Sequence, residues 1–175
     1  MENFTRTSFG LMIAYVVPGF LGLFALSFSD LRIKSYIEKN FLTGNELLMT
    51  LICLSTVLFI GLVVNAFNYL LLQRIVFSKI KPPPTTIPSN PNDAHVQLIV
   101  STLDENMRYA QFYGNVFLLI PLLEYHYLIR TDIPNFWDTI LVLFWFFILE
   151  WVLLLNAKES YRRYVSRLTE LSKEV

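Results

Sequence analysis

A single carboxyl inside a long apolar run is the sharpest chemical feature of this sequence. Glu150 stands between "FFIL" and "WVLLL". An ionisable side chain inside a membrane span is costly and is a functional-site hypothesis by default. Such a group could carry a proton or hold a cation on a path through lipid. It could equally accept hydrogen bonds as polar glue between helices, worth about 0.6–2 kcal/mol each. Three amides, Asn65, Asn68 and Asn115, also lie in apolar runs and could donate to it. Glu124 and His126 in "LLEYHYLIR" are a second candidate pair. Two residues apart, they lie on different helix faces and form no local metal pair. His95 has no partner at ligand spacing, and the lone Cys53 supports neither an intrachain disulfide nor a cysteine zinc site. No phosphate-cradling glycine loop, G-x-S-x-G, H-E-x-x-H or EF-hand pattern occurs. The sequence therefore nominates no catalytic, cofactor-binding or metal-binding residue.

A backbone group joins these candidates. In "IAYVVPGFLGLFALSF", Pro18 lacks an N–H, so the carbonyl of Ala14 loses its usual helical partner. In hydrocarbon that carbonyl must find another donor. Gly10, Ala14, Pro18 and Gly22 recur every four residues, and with Gly19 they make a small face on which another helix can pack closely. On the second apolar run, Gly61, Asn65, Asn68 and Tyr69 share a stripe.

The elements that must position these groups are membrane helices. Hydrophobic residues make up 54% of the chain and charged residues 16%, against about 25% charged in soluble domains. Mean hydropathy is +0.48. Four continuous apolar segments, at about 8–28, 47–77, 109–129 and 136–155, meet or approach the roughly 20 residues a ~30 Å hydrocarbon core requires. Runs this continuous are helical, so the expected fold is an all-α, four-transmembrane-helix bundle. Four crossings put both termini and the middle loop on one side. That side holds ten Lys and Arg residues against four on the other, which makes it cytoplasmic. Counted inward from the cytoplasmic ends at ~1.5 Å per residue, Ala14, Asn65, Asn68, Asn115 and Glu150 all fall about 8–12 Å deep. They are expected to form one polar layer. Tyr125, Tyr127 and Trp137 read as an outer aromatic belt, with Glu124 and His126 near water.

The remainder divides around these spans. Residues 1–77 hold the first helix pair. Between its members, a short surface helix is expected from Asp30, then a capping box at Thr43 and Glu46. Residues 78–90, with the run Pro82–Pro84, read as a stiff extended linker, or a docking peptide. Residues 91–175 hold the second pair. Asn90, Pro91 and Asp93 have the character of a helix start, and that helix is expected to run through 91–108 into the third span. The fourth span is expected to continue through 156–175. There Tyr161, Tyr164 and Leu168 share an apolar face, while Arg162, Arg163 and Arg167 lie mostly elsewhere. Together the two extensions would form a cytoplasmic platform for a protein partner or anionic lipid. The thin basic content gives no reason to expect nucleic-acid binding.

"YVVPGF" and "RYAQFYGN" resemble stretches in an uncharacterised group of small bacterial four-span membrane proteins. The resemblance implies a bacterial inner-membrane setting and carries no catalytic residues. Small proteins of this kind stand beside sensor or nuclease genes in anti-phage operons, an analogy at the level of setting. Three expectations follow. The first is a homo-oligomeric membrane sensor or effector of a stress or anti-phage system, acting through altered packing or permeability, including an ion channel. The second is a scaffold anchoring a cytoplasmic partner. The third is an intramembrane enzyme or lipid-handling protein, which would need a polar cavity.

Overall fold

The computed structural model describes residues 10, 12–29, 31–37, 39, 47–83, 94–130 and 135–173, and among them the chain is all-helical, with no strand. A π-helical turn, π1 (Met12–Val16), leads into α1 (Val17–Ser29). A short helix, α2 (Leu31–Ile37), follows. Helix α3 (Leu47–Asn68) continues as a second π-helical segment, π2 (Tyr69–Val76). Helices α4 (Ala94–Arg130) and α5 (Phe136–Leu171) are each uninterrupted. Three helical stretches are long and apolar enough to cross a membrane: Thr50–Val76, Val96–Ile129 and Phe136–Leu171. The first apolar helix, Met12–Phe28, is shorter. The expected capping box at Thr43 and Glu46, the helix start at Asn90–Asp93, and most of the proline linker lie outside the described residues.

Pro18 explains the winding of π1. Its missing N–H and its ring both act against an α-helical bond to the Ala14 carbonyl, and the turn that contains Ala14 is the one that widens. Two hydroxyls of α3 are satisfied within the helix. Ser55 donates to the Leu51 carbonyl at 2.8 Å and Thr56 to that of Ile52 at 2.9 Å. Such back-bonding lets a hydroxyl sit in an apolar run without an exposed polar cost.

Packing gives the order of the helices. Helix α1 lies antiparallel to α3: Gly19 is against Val57, and Gly61 is against Tyr15. A Cβ at either glycine would collide with the facing carbonyl, so the two backbones touch. Helix α1 also runs parallel to the second half of α4, from Ala14 beside Asn115 to Phe28 beside His126, whose rings are 6.2 Å apart. Helix α5 takes α4 as its principal partner along its whole length. Ala110 and Ala157 are buried in their common core, with Val116, Ile120 and Leu153 filling the next turns. Farther along, Val96 and Ile99 close on Leu171. The result is a cluster of α1, α3 and α4 with α5 laid on the far side of α4, rather than four helices each packed on two neighbours. Most of the remaining α5 surface is exposed and apolar, including Trp145, Trp151 and Phe147.

The first pair meets α5 at one place. Past π2, the Phe77 N–H donates to the Leu72 carbonyl at 2.7 Å, an i to i−5 bond that closes the π winding. Leu72 and Phe77 are buried there with Tyr161, and the Phe77 and Tyr161 rings stack at 5.6 Å.

Candidate functional site

The centre of the molecule is a chain of amides. Asn115 is 0% exposed and Asn68 is 1% exposed. The Asn115 side-chain amide donates to the Ala14 carbonyl at 2.9 Å. Its own side-chain oxygen accepts from the Asn68 amide at 2.9 Å. Asn68 also donates to the Gln111 carbonyl at 3.1 Å. Three helical stretches are thus tied through one buried polar thread: π1, the end of α3, and α4. The donor that Ala14 needs because of Pro18 comes from α4.

Local sequence makes room for this thread. A Cβ at Gly114 would stand 2.6 Å from the Asn68 amide, so only glycine allows that side chain to reach Asn115. Gly22 sits against Ile60, where a Cβ would be 2.7 Å from the Ile60 methyl. Gly10 is covered by the side chain of Arg108, which also bridges to Asp104 at 2.6 Å. Among the described residues, no buried side-chain nitrogen or oxygen is left without a hydrogen-bond partner. In low dielectric, satisfied networks of this kind rigidify the structure, and removing one member leaves a costly orphan.

Gly114 and Gln111 were not among the residues singled out from sequence. The available signal was their spacing: Gln111 lies one turn before Asn115, and Gly114 directly precedes it.

Asn65 and Glu150 do not join the thread. Asn65 is half-buried on α3, three residues before Asn68. Glu150 is half-buried on α5, on the face that carries Phe146 and Leu153 toward α4. Leu153 packs on Val116 and Ile120, so Glu150 is carried about a further turn from the Asn115 level, toward the C-terminal end of α4. Its electrostatic neighbour is Glu124. The expected single layer therefore separates: the amide thread joins π1, α3 and α4, and Asn65 and Glu150 stand outside it. Glu124, expected near water, lies close enough to act on Glu150.

The other candidates are placed as follows. The His126 ring lies between those of Phe28 and Tyr125, with the Tyr125 ring at 5.4 Å. Cys53 is buried in the core. Among the described residues, no three His, Cys, Asp or Glu side chains gather as a metal site. A shallow groove of about 260 Å³ is lined by Tyr127, Val142, Trp145, Phe146 and Leu149, and its lining includes no carboxyl or amide. On the platform, Tyr161 and Tyr164 stack at 6.0 Å, while Arg163 and Arg167 are engaged by Glu159 and Glu170. Arg162 is exposed.

Comparison with family models, curated proteins and solved structures gives no match. The functional reading accordingly rests on the site's own geometry.

Proposed function

We propose that the chain is an integral inner-membrane protein that crosses the bilayer four times with both termini cytoplasmic. It works there as an oligomeric sensor or effector, in the setting of a bacterial stress or anti-phage response. A signal taken at the cytoplasmic platform passes into the first helix and alters helix packing or permeability. One observation carries this reading: the Asn68–Asn115–Ala14 thread. Helices α4 and α5 are continuous from the platform into the apolar region, so a tilt at one end is a tilt at the other. The thread fastens π1 to α4 at the level where the platform begins. The close antiparallel seating of α1 on α3 supports a crossing by α1 despite its shorter length.

The test is dye entry or ion flux in expressing cells and in proteoliposomes. Asn115→Ala is expected to change the leak, whereas Arg163→Gln, on the exposed platform, leaves it as it was. Equal flux with and without the protein would remove the effector reading. A scaffold is the second reading, favoured by the extended helical surface beyond the apolar runs. Capture of one defined cytoplasmic partner without any change in conductance would select it.

A further inference from the structure

Charge on the platform is distributed unevenly. The described residues in 74–81, 94–108 and 158–173 carry nine Lys and Arg side chains and four carboxylates. All four carboxylates are taken. Asp104 binds Arg108, Glu159 binds Arg163, Glu170 binds Arg167, and Glu105 hydrogen-bonds Tyr109. Five of the remaining cations are exposed and stand immediately past the ends of apolar helix. Arg74, Lys79 and Lys81 follow α3, and Lys158 and Arg162 follow the apolar part of α5. No carboxylate among the described residues pairs with any of the five.

The two groups are held at one level by the Phe77–Tyr161 stack. Phe77 lies three residues from Arg74 and two from Lys79. Tyr161 adjoins Arg162 and lies one turn from Lys158. Directly toward the apolar side of these cations, exposed hydrophobic side chains continue: Leu71, Ile75 and Val76 on π2, and Val152 and Leu155 on α5. A ligand that fits both surfaces has an anionic head and long apolar chains.

We infer that Arg74, Lys79, Lys81, Lys158 and Arg162 form a belt that binds anionic phospholipid headgroups of the cytoplasmic leaflet, with the acyl chains lying on π2 and α5. The inference rests on the membrane reading above but not on the sensor or effector role. Basic residues near an anionic surface each contribute favourably and additively to first order, and salt screens them. The adjacent apolar surface separates a lipid from free phosphate, which would use the cations alone.

The experiment uses the full chain reconstituted in neutral phosphatidylcholine vesicles, with part of the lipid replaced by brominated phosphatidylglycerol or brominated phosphatidylcholine. Quenching of the protein's own tryptophans reports which lipid sits beside it, and Trp151 is the tryptophan nearest the belt in sequence. Phosphatidylglycerol is expected to be preferred several-fold at low salt, with the preference reduced as salt rises. Neutralising the five to Gln is expected to abolish it, each single change removing part of it. The paired control Glu159→Gln with Arg163→Gln, which removes a cation together with its own carboxylate, is expected to retain it. Equal quenching by the two lipids would overturn the belt, as would equal loss in the paired control. So would full competition by inorganic phosphate at matched ionic strength. Flotation separates the two levels: a chain that fails to float with neutral vesicles removes the membrane reading itself. One that floats but shows no lipid preference removes only the belt.

Discussion

Two polar regions cross this apolar molecule, and they are built on opposite principles. At the junction of π1, α3 and α4, neutral amides both donate and accept, so each link satisfies the next and the chain ends on a carbonyl that needed a donor. At the α4–α5 seam stand two half-buried carboxyls, Glu124 on α4 and Glu150 on α5, and a carboxyl donates only when it holds a proton. The first arrangement can close on itself in the absence of water. The second cannot, so it depends on protons, cations or movement for its balance. The amide region is also sealed by glycine contacts, while both carboxyl residues are only half-buried. A rigid joint and an adjustable seam thus share one helix, α4.

Substitutions test this contrast, and the largest effect is expected where backbones touch. Gly61→Leu places a side chain against the Tyr15 carbonyl and is expected to separate α1 from α3. Overpacking of this kind costs typically 1–3 kcal/mol and occasionally more. Loss of the monodisperse species in detergent is the readout, and an unchanged thermal midpoint would show that the two helices are not in backbone contact. Next comes Asn115→Ala, which leaves the Ala14 carbonyl without its donor and the Asn68 amide with only its bond to the Gln111 carbonyl. A cost of about 1–3 kcal/mol is expected. Adding Asn68→Ala should cost less than a second independent loss, because the pair acts as one network. Strict additivity of the two midpoint shifts would contradict the thread.

At the seam the sign is expected to reverse. Glu150→Gln replaces a half-buried carboxyl in an apolar helix by a neutral amide that can donate, so the midpoint should hold or rise. A fall as large as that of Asn115→Ala would mean that Glu150 is held in place as firmly as the amides. The smallest effect is expected at exposed, locally paired residues. Arg167→Gln breaks the bridge to Glu170, and surface pairs of this kind are worth about 0–1 kcal/mol.

The junction was largely legible because its cause is local. A proline at position 18 strips a donor from Ala14 whatever the tertiary structure, and an amide in an apolar run must find partners. The helices were legible for the same reason: continuous apolar residues force internal backbone bonding. What could not be read was how far α4 and α5 slide past one another. Depth counting assumes that every helix starts from the same plane, but Leu153 packs on Val116 and Ile120, and this carries Glu150 away from Asn115. The winding of π2 was also hidden. It is fixed at one end by Asn68 and at the other by Phe77 on Tyr161, both of them contacts distant in sequence. Nor could the sequence show that α5 takes α4 as its main partner and meets the first helix pair only near Leu72 and Phe77.

The stacked rings of Phe77 and Tyr161 have a mechanical consequence. The chain leaves the helices just after them, at Ile80 to Pro83, and the proline-rich segment follows in sequence as a tether to α4. Any tug arriving along that tether loads the aromatic pair before it reaches Asn68. The pair thus stands between loads from that side and the amide thread.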